Sequence, residues 1–199
     1  METPKAARAF IKTLGPPQPI ATLTIDELGE TPSRDHLAAL LAPLRDGIDV
    51  GLLSDAGCPG VADPGAVLVA AAHASGFRVV PLVGPSAILL ALMAAGMNGQ
   101  SFAFHGYLPV KADARAAALR HLEAESRAKA QAQLFIETPY RNEAMLDAIA
   151  TALQPGTLVC VAADLTLPTE TIQRASAREW QRLDHARFAK RPALFVLQA

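Results

Sequence analysis

Two cysteines in 199 residues, Cys58 and Cys160, stand far apart with no C-x-x-C pair. Together with an N-terminus that lacks the apolar core of a signal peptide, this points to a reducing, cytoplasmic compartment. The five histidines (His36, His73, His105, His121, His185) are scattered and none neighbours a cysteine at ligand spacing, which argues against a structural zinc site. Long hydrophobic runs are lacking too: Val79 to Met97 is broken by Pro81, Gly84, Pro85, Ser86 and Gly96, so it does not read as a membrane span. Net charge is only -1, which gives no global positive field of the kind that announces nucleic acid. The slightly acidic first half and slightly basic second half differ too little to decide a partner. Absence of G-x-G-x-x-G and of G-x-x-x-x-G-K-[ST] removes the signatures of dinucleotide and triphosphate binding. No internal repeat or low-complexity segment occurs.

What is present is a foldable, apolar chain. With 51% hydrophobic and 19% charged residues it is expected to bury a sizeable core. The central stretch runs from Val50 through Ser54-Asp55-Ala56-Gly57-Cys58-Pro59-Gly60 to Asp63-Pro64-Gly65 and restarts as Ala66 to Ala74. It reads as a buried strand, an irregular glycine-rich loop and a helix. In open parallel sheets ligands bind where strands give way to such loops, and Asp55 and Asp63 suit the hydroxyl or amine groups of a ligand. A tight turn that merely redirects the chain is the plainer alternative.

Elsewhere the pattern predicts a helix opened by Thr3 as N-cap and Pro4, ending at Gly15-Pro16-Pro17. A short strand is expected over Ile20 to Ile25, then a helix over Thr31 to Arg45. A second strand-loop-helix unit follows, with strand Phe77 to Val83, loop Gly84-Pro85-Ser86-Ala87 and helix Ile88 to Ala95. Such succession predicts parallel strands joined by crossovers. Gly57 and Gly84 are expected to approach ligand or backbone too closely for a side chain. Past Gly96 come the strand-like run Ser101 to Leu108 and a polar, alanine-rich stretch from Pro109 to Lys129. Strand Leu134 to Glu137, helix Asn142 to Leu153, strand Thr157 to Ala163, a loop through Asp164 to Glu170, a helix about Trp180 and strand Ala193 to Leu197 complete the chain. The expected organisation is two α/β domains, residues 1–99 and 100–199.

Several motifs in order carry a family resemblance. Ser54-Asp55-Ala56-Gly57-x-Pro59-x-x-x-Asp63-Pro64-Gly65 is followed by Val80-Pro81-x-x-Gly84-Pro85-Ser86-Ala87, then by Phe104-x-Gly106-Tyr107-Leu108-Pro109-x-Lys111, Glu137-x-Pro139-x-Arg141 and Asp164-Leu165-Thr166. This set resembles the tetrapyrrole methylase superfamily of S-adenosylmethionine-dependent methyltransferases. Within it the resemblance is to the branch that methylates cytidine 2′-O in small-subunit ribosomal RNA.

The resemblance implies two α/β domains with S-adenosyl-L-methionine in the cleft between them. It implies cofactor contacts from Ser54, Asp55, Ala56 and Val61, from Ser86 and Ala87, and from Tyr140, Leu165 and Thr166. Lys111, Glu137 and Arg141 are the candidate substrate contacts; Arg115 joins Lys111 and Arg141 as a candidate for RNA phosphates. Asp55 and Glu137 are candidate bases, with cofactor hydrogen bonding by Asp55 and pairing of Glu137 with Arg141 as the alternatives. The methyl acceptor is expected to be RNA; a tetrapyrrole or other small molecule, or a non-catalytic remnant, stays open, as does a homodimer. Family members begin with a strand and loop that this chain is expected to lack, since its first residues resemble the segment that follows them.

Overall fold

The computed structural model describes residues 4–54 and 57–199, so the expected N-cap Thr3 and the cofactor candidates Asp55 and Ala56 lie outside the described residues. The chain divides into two compact units, Met1–Pro85 and Ser86–Ala199. The sequence pattern places a boundary at residue 99; the helix that follows Ser86 packs with the second unit's sheet.

The first unit is built on helices α1 (Pro4–Thr13), α2 (Arg34–Arg45) and α3 (Gly65–Ala74). Ser33 caps α2 by accepting from the His36 amide at 3.2 Å, satisfying one of the first-turn N–H groups that a helix leaves unpaired. Leucines at helical spacing on α2 turn inward, so Leu41 packs with Leu68 and Ala72 of α3 and with Leu28, flanked by Leu37, Leu40, Leu44 and Leu52. The strands expected here are not formed among the described residues. Ile20–Thr22 is a single 3-10 turn behind Pro19, closed by Leu23 N–H on the Ile20 carbonyl. Residues 50–53 and 77–83 carry no strand ladder. An extended apolar run becomes a strand only when neighbouring backbone pairs its N–H and C=O groups. Without that pairing, Val80, Leu82 and Val83 stand 55%, 88% and 107% exposed.

The second unit holds the sheet. Helix α4 (Ala87–Ala95) precedes β1 (Phe102–Tyr107), α5 (Ala112–Lys129) and β2 (Ala132–Glu137). Then come α6 (Asn142–Ala152), β3 (Leu158–Ala163), β4 (Thr171–Ser176), the short α7 (Ala177–Trp180) and β5 (Ala193–Gln198). Spatial order is β1-β2-β5-β3-β4. Only β1 and β2 are parallel neighbours, joined by the α5 crossover; β5 pairs antiparallel with both β2 and β3, and β4 antiparallel with β3. Helix α6 carries the chain from β2 past a position that β5 later fills in the opposite direction.

Side chains alternate across the three central strands. Phe135, Val159, Val161, Phe195 and Leu197 face α5, α6 and α7, where Trp180 donates from Nε1 to the Val159 carbonyl at 3.1 Å. Leu134, Cys160, Ala162, Leu194 and Val196 face Ala91, Leu92 and Ala95 of α4. Burial of both faces makes the strand runs continuously apolar, and the Phe135 and Phe195 rings stack at 5.2 Å across β2 and β5. No described helix is long and apolar enough to cross a membrane.

Candidate functional site

In the first unit the glycine-rich loop is held by its own aspartate. Asp63 Oδ1 accepts from the Gly60 amide at 2.7 Å and the Gly65 amide at 2.8 Å. Through that oxygen Asp63, which the sequence offers as a candidate for ligand groups, shapes the loop. Gly57, Gly60 and Ala62 have φ of +75°, +81° and +58°, a left-handed bend that glycine adopts without penalty. Val61 is half exposed, and its amide closes a turn on the Cys58 carbonyl at 3.2 Å. The Cys58 thiol donates to the Pro85 carbonyl at 3.5 Å, which ties this loop to the Gly84-Pro85 turn. Ser54, Leu28, Leu52 and Gly65 line a niche of about 10 Å³, room for one water.

Crowding falls on a different glycine from those singled out by sequence. A Cβ on Gly65 would stand 2.9 Å from both Asp63 Oδ1 and Leu52 Cδ2, whereas Gly57 and Gly84 have nothing within 4 Å of that position. Neither is packed against protein backbone; φ, not space, is what demands glycine at Gly57.

In the second unit strand register gathers the candidate loops at one end of the sheet. Tyr107 pairs with Ile136, Glu137 with Ala193, and Ala193 with Ala163. The ends of β1, β2 and β3 and the start of β5 therefore lie together. Lys111 follows β1 as the exposed N-cap position of α5. Arg115, a turn further on, is no surface cation: only 8% exposed, it donates from a terminal nitrogen to the Val110 carbonyl at 3.2 Å.

Glu137 has a fully buried side chain that pairs with Arg141, and its Oε1 also accepts from the Thr138 amide at 2.6 Å. Arg141 completes the clasp by donating from Nε to Thr138 Oγ1 at 3.1 Å. Of the two readings open for Glu137, pairing is what the structure displays. Its Oε2 is buried without a hydrogen-bond partner. Tyr140 protrudes from the same turn, 82% exposed.

Leu165 and Thr166 form, with Leu90, Met93, Ala94, Glu170 and Ile172, an open groove of about 340 Å³. Asp164 and Thr166 sit at φ +51° and +71°, and Lys190, on the adjoining loop, at +58°. Three non-glycine left-handed residues at one sheet end are a local strain that the surrounding bonds must hold. Thr166 N–H donates to Glu170 Oε2 at 2.8 Å, and Asp164 Oδ2 accepts from Arg191 Nε and Thr169 Oγ1, each at 2.8 Å. These bonds hold the Asp164 carboxyl below the usual carboxylate range, the Arg191 hydrogen bond foremost. Arg191 and Lys190 were missed in sequence, although Lys190-Arg191-Pro192 immediately before an apolar strand was the available signal. Ser86 is the N-cap of α4, with no capping bond from its side chain, and Ala87 is the first helical residue.

A glycine-rich loop, a mixed five-stranded sheet and these sheet-end loops define an α/β protein, and comparison supplies the family. Over residues 3–181 the chain matches the tetrapyrrole (corrin/porphyrin) methylases, and it belongs to that family. It is 40% identical over 151 residues to ribosomal RNA small subunit methyltransferase I of Escherichia coli O157:H7, covering 74% of this chain and 51% of that protein. With the protein of the same name from Xylella fastidiosa, identity is 39% over 141 residues, 70% of this chain and 50% of that one. The chain thus spans about half the length of these curated relatives. Among solved structures it is similar in fold to the methyltransferase CobJ, with a TM-score of 0.60 at 22% identity, covering 98% of this chain and 87% of that one. A cobalt precorrin-4 methyltransferase has a TM-score of 0.57 at 15% identity, over 91% and 76%.

Proposed function

We propose that this protein is a cytoplasmic S-adenosyl-L-methionine-dependent methyltransferase acting on RNA at a ribose 2′-oxygen. The observation that carries the reading is about 40% identity, over most of this chain, to proteins named for small-subunit ribosomal RNA methylation. S-adenosylmethionine supplies a methyl group on a sulfonium centre; the protein's own task is to hold acceptor and methyl close and aligned.

The family resemblance supports assigning Ser54, Asp55 and Ala56, with Val61 nearby, to the cofactor's amino-acid and ribose portions, Ser86 and Ala87 to a second contact, and Tyr140, Leu165 and Thr166 to its adenine and sulfonium side. Lys111 and Arg141 are assigned to the RNA, with Glu137 as the buried partner that fixes Arg141. Calorimetric titration with S-adenosylhomocysteine, followed by transfer of labelled methyl to small-subunit ribosomal RNA, tests the reading. Heat on binding and label on RNA are expected; binding with label transferred only to a tetrapyrrole would overturn the choice of acceptor. Light scattering of the same sample reads whether the protein forms a homodimer.

A further inference from the structure

The protein has two tyrosines, and both stand exposed at the same end of the sheet. Tyr107 is 60% and Tyr140 82% exposed. A tyrosine ring left in water forgoes the burial its large apolar surface would gain. Around Tyr140 the backbone is braced. Lys190 N–H donates to the Pro139 carbonyl at 2.9 Å, and the buried Asn142 donates from Nδ2 to the carbonyls of Phe188 at 2.8 Å and Arg191 at 2.7 Å. The turn bearing Tyr140 and Arg141 and the loop bearing Lys190 therefore form one hydrogen-bonded ledge. On it, Glu137 and Asp164 are already neutralised by Arg141 and Arg191. Lys190 is exposed, with no side-chain partner among the described residues. Arg141 spends Nε and one terminal nitrogen on Thr138 and Glu137, so its other terminal nitrogen is held in place with donors to spare.

A hydrogen-bonded ledge that presents a bare aromatic ring beside an oriented arginine and an exposed lysine matches the chemistry of an unpaired nucleotide strand, whose bases stack on aromatic rings and whose phosphates take lysine and arginine. We propose that this ledge is the seat of the RNA substrate in single-stranded form, with a base stacked on Tyr140 and flanking phosphates on Arg141 and Lys190. The proposal rests on the RNA reading above and narrows it: the acceptor nucleotide is presented from a loop or unpaired strand, because in a duplex the base faces are stacked inside and cannot reach Tyr140.

Anisotropy of a labelled single-stranded RNA of about 12 nucleotides, long enough to fill a typical single-strand site, tests this on the full chain, with S-adenosylhomocysteine titrated in parallel. Tyr140→Ala is expected to weaken strand binding roughly tenfold or more with the salt dependence unchanged, and Tyr140→Phe to bind as wild type; because the family resemblance also names Tyr140 as a cofactor contact, the parallel titration with S-adenosylhomocysteine separates the two roles. Lys190→Gln is expected to lower the slope of log affinity against log salt by about 0.7, the value for one phosphate on a single strand. The side chains of Tyr140 and Lys190 are exposed, so all three variants should melt with the wild type. If wild type binds the strand and all three variants bind it equally, the ledge is not the seat although the RNA reading survives. If Tyr140→Ala loses S-adenosylhomocysteine instead, the ring serves the cofactor and the proposal is overturned. If no strand binds while S-adenosylhomocysteine does, the RNA reading itself fails.

Discussion

Arg191 donates from Nε to Asp164 Oδ2 at 2.8 Å, and its terminal nitrogens reach the Arg187 and Thr169 carbonyls and Thr171 Oγ1. One guanidinium thus ties the loop after β3 to the strand entry of β5, where Asp164 occupies φ +51°. Asp164→Asn keeps a residue tolerant of that φ and removes only the charge. It is expected to cost about 1.5–3 kcal/mol in urea unfolding at neutral pH, the range for hydrogen bonds to charged groups. Asp164→Ala should cost roughly 1 kcal/mol more, because alanine pays for the left-handed backbone. The carboxyl's folded pKa lies below its unfolded value, so this stability is complete above the unfolded value of about 4 and falls as pH drops through the folded one. In Asp164→Asn that acid-side loss should shrink.

Glu137 and Arg141 predict a different pattern. The glutamate side chain is fully buried and the arginine 25% exposed, so Arg141→Ala strands a buried carboxylate. Removing one partner of a buried pair costs roughly 3–5 kcal/mol, and the partial exposure of Arg141 places this variant near the lower figure. Glu137→Gln combined with Arg141→Ala should be more stable than Arg141→Ala alone. A double-mutant cycle on urea midpoints checks this; additive losses would mean that the pair is not coupled.

Much of the second unit was legible because its elements announce themselves locally. Asn142 to Leu153 and Ala193 to Leu197 are periodic or continuously apolar, and turn residues bound them. β4 was not legible: Thr171-Ile172-Gln173-Arg174-Ala175-Ser176 is an edge strand with two apolar residues, stabilised by its ladder with β3 rather than by composition. Helix α5 was obscured because Arg115, Glu123 and Ser126 occupy buried positions. Glu123 accepts from the Gln154 amide and the Thr157 hydroxyl, a tertiary network that periodicity cannot reveal. In the first unit the apolar runs at 50–53 and 77–83 read as strands since hydrophobicity records a wish for burial, whereas a strand also needs a paired neighbour. At the site, motif order exposed the loops, but the roles of Asp63 and Arg191 depend on which amides and carboxylates the fold brings within reach.

Three glycines separate space from conformation. Gly65→Ala would force a Cβ against Asp63 Oδ1, Leu52 and the Gly60 amide, the last at 3.0 Å, with an expected loss of about 1–3 kcal/mol typical of overpacking. Gly57→Ala meets open space but must hold φ +75°, so about 1 kcal/mol is expected. Gly84→Ala has open space and no positive φ, and should melt with the wild type. Thermal melts of the three rank them; equal losses would contradict the geometry.

Cys160 and Cys58 should part company toward thiol reagents. Cys160 is fully buried between Ala162 and the α4 face, and burial pushes its thiol up to about 11, against a smaller opposing pull from Arg174. Cys58, half-buried in its loop, is open to reagent and is expected to be labelled first. Labelling of Cys160 should wait for the sheet to open, and should track global unfolding as denaturant is added. Because its folded pKa is raised, the contribution of Cys160 to stability is fully present below the unfolded value of about 8.5 and is lost as pH climbs toward 11. Cys160→Ala should remove that alkaline slope while leaving a cavity-sized loss at neutral pH. Mass spectrometry of the labelled protein over time assigns each site, and prompt modification of Cys160 in the folded protein would overturn its place in the sealed centre of the sheet.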